Sequence, residues 1–417
     1  MKARIVRNKY LVVGLAIGLI IAIGAGLVVS MAVTGAGNTK GQAHKVTGQS
    51  VTAVKAAPRA SSPAPAQAPA QKTGQVASQP APTAAGEAVA YLQGPPKDDG
   101  FVRRGDIYIA NLDGSGERQI TTSGDVTDFR PSPSGNKIAF LKTRNTGEYD
   151  GPPQFVLGVF LMNADGTNLR QLPFEGSSQY CAAPVFDPNE KYLYIARKGD
   201  VAKDPQFDSE ASYTLVFERY DIDANTVEPV YPRAGMFPET HVSSLCLNPG
   251  GTELYFTLVG SQWPGSEVPV LNLGRPATEA PFMAERQGNP GYTGFSLMSF
   301  SKNGDYVSYN RDVAEPATDP SQGPILKRYS CLRPVSGGTE TVINESEAGH
   351  PYAQGAISRL EFSGSDAATY FFSKVTGAGS HSNNDIEFYK GSINNTGQEP
   401  TGLHVNCMDA IWHLIKI

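Results

Sequence analysis

Gly105-Asp-Ile-Tyr-Ile-Ala-Asn-Leu-Asp-Gly-Ser-Gly-Glu-Arg-Gln-Ile-Thr121, followed by Asp128-Phe-Arg-Pro-Ser-Pro-Ser-Gly-Asn-Lys-Ile-Ala-Phe140, holds two apolar strands about an Asp-Gly turn, then two more about Ser-Pro-Ser-Gly. A second copy reads Val159-Phe-Leu-Met-Asn-Ala-Asp-Gly-Thr-Asn-Leu-Arg-Gln-Leu172, then Pro184-Val-Phe-Asp-Pro-Asn-Glu-Lys-Tyr-Leu-Tyr194. Five such units recur along the chain. A single all-β unit of this kind leaves both sheet faces apolar and must stack on its neighbours, so the repeat predicts a solenoid or propeller.

Innermost strands centre on Pro131, Phe186, Leu247, Phe300 and Phe362. Each precedes a polar turn: Ser-Pro-Ser-Gly, Asp-Pro-Asn-Glu, Asn-Pro-Gly-Gly, Ser-Lys-Asn-Gly or Ser-Gly-Ser-Asp. Second strands follow at Ile138, Tyr192, Leu254, Tyr306 and Tyr370. Hairpins between third and fourth strands turn at Asp113-Gly, Asp165-Gly, Asp223-Ala, Arg275-Pro, Ser336-Gly and Asn394-Asn.

The ends supply the missing unit. Met408–Ile417 reads as an innermost strand with nothing after it, and Ala88–Leu92 as a second strand with nothing before it. Paired, they complete a sixth blade and close the ring without leaving open sheet edges. The expected fold is all-β: a six-bladed propeller of four-stranded blades over residues 87–417.

Asn-Ala-Asp-Gly-Thr-Asn-Leu-Arg-Gln-Leu172 and Ser-Pro-Ser-Gly-Asn-Lys-Ile-Ala-Phe140 resemble the repeat of the TolB-type propellers, whose pattern is an Asp-Gly turn, Arg-Gln-Leu-Thr, and Ser-Pro-Asp-Gly-Lys before a strand. The resemblance is good over 105–195 and decays over 196–417. It implies the fold, and its residues sit in structural turns. TolB itself resembles a free periplasmic protein with an extra N-terminal α/β domain; here an apolar run and a Pro/Ala-rich stretch stand in that place.

Of 35 Lys and Arg, nine lie in residues 1–86, which contain no acid; 26 cations and 40 acids remain in 87–417, a net of −14. That balance excludes nucleic acid as a partner, since phosphate binding needs a basic stripe. Leu11–Val33 is an uncharged run of 23 residues, long enough for a bilayer core of roughly 30 Å at about 1.5 Å per residue. With a basic tail at 1–10 it reads as an uncleaved anchor, N-terminus in the cytoplasm, the remainder in the periplasm or at the cell surface. A cleavable signal ending at Ser30-Met-Ala32 is the competing reading. Residues 34–86, rich in Pro, Ala and Gln, are a tether too polar to build a core. Cys181, Cys246, Cys331 and Cys407 form no CxxC pair, and an oxidising compartment leaves both disulfides and buried thiols open.

Long loops between second and third strands gather on one face and carry acids: Glu148, Asp150, Asp204, Asp208, Glu210, Asp312, Glu315 and Asp319, with Trp263 among them. They define an expected binding face for an envelope protein, peptide or glycan, above all a basic one; a solubilising rim is the alternative. No cofactor is expected; Ca²⁺ would suit such acids, but no dedicated calcium loop occurs. Gly-x-Ser-x-Gly and phosphate-loop motifs are missing. The leading expectation is therefore a non-catalytic binding module. The alternative is a propeller hydrolase or lyase on glycans using His241, His350, His381 or His404, which the repeat places in loops of the same face. His413, beside Trp412, reads as a packed strand residue, and Arg144, Arg197 and Arg311 as solvated strand ends.

Overall fold

The computed structural model describes residues 86–94, 104–144, 156–174, 182–203, 210–236, 241–259, 267–284, 293–315, 325–347, 357–377, 383–408 and 411–417. They form six four-stranded antiparallel sheets and no α-helix. The closing blade orders as β24 (Trp412–Lys416), β1 (Glu87–Gln93), β2 (Asp106–Asn111) and β3 (Arg118–Gln119). Next come β4 (Val126–Pro131) to β7 (Arg170–Gln171) with β5 (Lys137–Arg144) and β6 (Val156–Asn163) between. The third blade holds β8 (Val185–Phe186), β9 (Tyr192–Lys203), β10 (Glu210–Asp221) and β11 (Thr226–Met236). The fourth holds β12 (His241–Leu247), β13 (Glu253–Val259), β14 (Glu267–Asn272) and β15 (Thr278–Ala284). The fifth is β16 (Thr293–Phe300), β17 (Tyr306–Glu315), β18 (Ile325–Pro334) and β19 (Thr341–Glu347). The last is β20 (Ile357–Phe362), β21 (Thr369–Gly377), β22 (Asn383–Ser392) and β23 (Asn395–Met408). Inner strands touch in the cycle β4, β8, β12, β16, β20, β24 and back to β4, which is a closed ring.

Closure runs through the expected chain ends. β1 pairs antiparallel with β24 from Glu87↔Lys416 to Tyr91↔Trp412, and Gly86 and Ile417 exchange backbone hydrogen bonds of 3.2 and 3.0 Å. The innermost strand is shorter than the sequence suggests, because Met408 still belongs to β23. Glu87 also reaches the next blade, accepting from Ser363 Oγ and the Gly364 amide, each at 2.7 Å.

The recurring turn after each inner strand has one mechanism. Its first residue folds its side chain back onto the turn's own amides. Ser132 Oγ accepts from Lys137 N (3.1 Å), Asp187 Oδ1 from Tyr192 N (2.6 Å) and Asn248 Oδ1 from Thr252 N (2.9 Å). Ser301 Oγ accepts from Tyr306 N at 2.9 Å and Ser363 Oγ from Asp366 N at 3.1 Å. Ser, Asp and Asn are the residues able to do this, which explains their repetition. Gly135 stands at φ +79, and a Cβ there would lie 2.1 Å from the Lys416 carbonyl oxygen across the seam, so only glycine fits.

Between blades the core is aromatic and aliphatic. Ala88, Leu92, Ile107, Phe129, Phe140 and Ile415 fill the space where the closing blade meets β4 and β5. Phe217 and Phe256 meet at 4.7 Å between the third and fourth blades. Each fully buried side chain of this size contributes about 2–3 kcal/mol.

Three strands outrun their expected limits: β9 continues to Lys203, β10 begins at Glu210 and β17 ends at Glu315. In the β9 extension residues 200–202 are exposed on both faces, Val201 to 40%, so they carry no apolar alternation to betray a strand. Among the described residues no helix is long and apolar enough to cross a membrane; the apolar run 11–33 and the tether lie outside the described residues.

Candidate functional site

Charged residues on inner strands are the exception in this fold, because those strands have blades on both sides and only the ring axis as an outlet. Arg130 lies between Phe129 and Pro131 on β4, Arg359 and Glu361 flank Leu360 on β20, and His413 lies between Trp412 and Leu414 on β24. These are the inner strands of three successive blades, and the four side chains converge.

Glu361 is the hub. Its Oε1 accepts from Arg359 Nε at 2.6 Å and from His413 Nδ1 at 2.6 Å, and its Oε2 from the Leu414 amide at 2.8 Å. Arg130 Nη1 stands 3.8 Å from Oε1. Burial alone would raise the Glu361 carboxyl, but Arg359, His413 and Arg130 outweigh it and hold it well below the usual carboxylate range. For His413, only 2% exposed, burial and then the charges of Arg130 and Arg359 push protonation down to about 3. The ring is therefore neutral, and its 2.6 Å approach to a carboxylate assigns the proton to Nδ1. Arg130 Nη1 lies 3.0 Å from that same Nδ1, so it faces a donor and gains no acceptor. His413 Nε2 and Arg130 Nε are buried with no partner among the described residues. The His413 ring is held edge-on by Phe129 at 5.2 Å.

Across the ring, on β12, Cys246 feels the charges of Arg130, Glu361 and Arg359, but burial pushes its thiol up to about 11. A cleft of about 200 Å³ leads to the cluster from the face bearing the short turns. Arg130 and Glu361 of the cluster line it, together with Ser132, Gly364 and Lys416.

The acids of the expected binding face are distributed otherwise. Glu148, Asp150, Asp204, Asp208, Asp319 and Trp263 lie outside the described residues. Glu210 opens β10 and Glu315 closes β17, so both are strand ends instead of loop residues. Asp312 is also in β17 and is engaged: Arg328 donates to its two oxygens at 2.7 and 2.8 Å. Of the histidines, His350 and His381 lie outside the described residues and His241 begins β12. His404 lies on the outer strand β23, 63% exposed and 3.4 Å from Glu387. Among the described residues no three His, Cys, Asp or Glu side chains gather as a metal site would require. Arg197 and Arg311 are ion-paired, with Glu218 at 2.7 Å and Glu340 at 2.9 Å. Cys246, Cys331 and Cys407 are not in disulfides.

His413 is buried in a strand as its sequence setting suggests, yet it is also part of the cluster that sequence reading missed. The missed signal was a charged residue between apolar neighbours on an inner strand.

No protein-family model and no curated protein matches the chain. Solved structures do resemble it. Hydrazine synthase of Kuenenia stuttgartiensis aligns with TM-score 0.50 and 14% identity over 79% of this chain and 46% of that one. An oligogalacturonate lyase in complex with manganese gives TM-score 0.44 and 10% identity over 75% and 77%. The periplasmic gluconolactonase of Pseudomonas aeruginosa gives 0.43 and 10% over 79% and 99%. At 14% identity the likeness to the hydrazine synthase shows a shared fold and nothing about chemistry.

Proposed function

We infer that the chain is a non-catalytic ligand-binding propeller of the cell envelope, held outside the cytoplasm by its N-terminal anchor and tether, with the axial cleft as its ligand site. One observation carries this: the three groups at the axis that could move a proton, His413, Glu361 and Cys246, are all buried together and held away from neutral pH. Acid–base catalysis works best with a group that titrates near the working pH. Here His413 is neutral down to about 3, the Glu361 carboxyl is held below its usual range, and Cys246 keeps its proton up to about 11. A nucleophilic thiolate or a base ready to take a proton is not supplied. Fixed charges and unspent N–H groups are what a binding site needs.

The acidic residues Glu148, Asp150, Asp204, Asp208 and Asp319 remain a second contact surface in this reading, for a basic envelope partner. A catalytic reading would need His241, His350 and His381 to meet a carboxylate at one cleft, and no described contact favours that.

The test pairs binding with turnover. The full chain, purified in detergent, is melted in the presence of fractionated envelope extract, and each fraction is compared by mass spectrometry before and after incubation. A fraction that raises the melting temperature and returns unchanged fits the reading. A fraction that is chemically consumed, or the absence of any stabilising fraction, overturns it.

A further inference from the structure

The axis holds more guanidinium than carboxylate. Arg359 is 6% exposed, yet the one hydrogen bond it gives the described protein is from Nε to Glu361. Its four terminal N–H bonds have no acceptor there. Arg130 fares no better: Nε is buried and unpartnered, Nη1 faces the protonated Nδ1 of His413, and the nearest oxygen of Glu361 is 3.8 Å away. Glu361 does not hydrogen-bond both arginines: Arg359, His413 and the Leu414 amide donate to it, while Arg130 stands 3.8 Å away.

The charges about the cluster point the same way. With His413 neutral and Cys246 protonated, two guanidiniums and one carboxylate leave one positive charge in contact. Asp128 on β4 acts on Arg130 through its charge alone, its oxygens accepting from the amides of Phe129 and Ala183, each at 2.9 Å. Glu87 accepts from Ser363 and Gly364 and stands opposite Lys416 across β1 and β24; both line the cleft, so together they add no net charge there.

We propose that the charged cluster at the axis binds a single carboxylate group, with the unspent N–H groups of Arg130, which lines the cleft, and of Arg359, which meets it through Glu361, as donors. A guanidinium presents parallel N–H bonds that match the two oxygens of a carboxylate. One negative charge matches the single positive excess among the groups in direct contact, Arg130, Arg359 and Glu361, whereas a phosphate dianion would bring two charges into a buried place. The proposal rests on the binding reading above and names the chemistry of its ligand.

Acetate is the probe and acetamide, of the same shape without the charge, is the control. In the full chain at constant ionic strength, acetate raises the melting temperature in a saturable manner and acetamide does not. Arg359→Met and Arg130→Met, which keep most of the side-chain volume, each abolish the saturable part. Broadening of the [13C]acetate resonance by wild-type protein, reversed by unlabelled propionate, gives the same answer should a variant fail to fold. Equal shifts with acetate and acetamide, an acetate shift that survives in both variants, or unreversed broadening would overturn the proposal. So would saturable, arginine-dependent stabilisation by phosphate in place of acetate. If acetate fails while an envelope fraction still binds unchanged, the carboxylate assignment falls and the binding reading stands. If acetate binds while a fraction is consumed, the carboxylate site stands and the non-catalytic reading falls.

Discussion

Replacing Glu361 by Gln tests how much the axial hub holds. The carboxylate accepts three hydrogen bonds, two at 2.6 Å and one at 2.8 Å, and supplies the one negative charge in contact with two buried arginines. Gln keeps the shape but loses the charge, and turns an NH2 group toward donors. Removing one member of a buried ion pair costs about 3–5 kcal/mol, since the partner stays buried and uncompensated. At roughly 2 °C per kcal/mol for a domain of this size, melting should fall by about 6–10 °C. Adding Arg359→Met should recover part of the loss, because it removes the orphaned charge; thermal melts of wild type, both singles and the double give the coupling. The acid limb has a definite sign. A carboxyl held below its ordinary range stabilises fully above the unfolded value of about 4.3 and loses that contribution only as pH falls further toward its folded value. The deficit of Glu361→Gln should therefore stay constant from pH 8 to 5 and shrink in stronger acid. A variant melting within about 1 °C of wild type, or a deficit that grows on acidification below pH 4, refutes the hub.

Gly135→Ala meets both a φ of +79 and the Lys416 carbonyl oxygen, whereas Gly124→Ala, at φ +64 with nothing within 4 Å, meets only the first. The backbone strain costs about 1–3 kcal/mol at either site, so Gly135→Ala should melt lower, and equal melting temperatures would remove the seam contact from the account. Asp312→Asn breaks the two-point pair with Arg328 and should cost about 1 kcal/mol in urea denaturation; no cost would mean the pair contributes only geometry. Burial raises the thiols of Cys246 and Cys331, so iodoacetamide at pH 8 should label neither until the chain unfolds, and rapid labelling of the native state would contradict their packing.

The blade count was legible because each inner strand ends in a residue such as Ser132, Asp187 or Asn248 whose side chain must close its own turn, and that chemistry is local. Ring closure was legible for a related reason: Ala88–Leu92 and the segment about Trp412 each read as half of a blade. The axial cluster was not legible. Arg130, Glu361 and His413 come from three blades and lie up to 283 positions apart, so the ring geometry alone makes them neighbours. Polar loops attracted the functional reading because acids there are conspicuous, although Asp312 proves to be spent on Arg328. The extension of β9 over residues 200–202 looked like a loop because both of its faces are exposed, which erases the alternation.

The most direct test of the claim that the axis binds instead of transferring protons is a titration of the histidine side chains by NMR in the full chain, with His413 identified by its loss in His413→Asn. Burial and the two arginines place His413 at about 3, so its resonance should stay at the neutral position from pH 8 to 5. A midpoint between pH 6 and 7 would make His413 an acid–base group at working pH and would contradict the account.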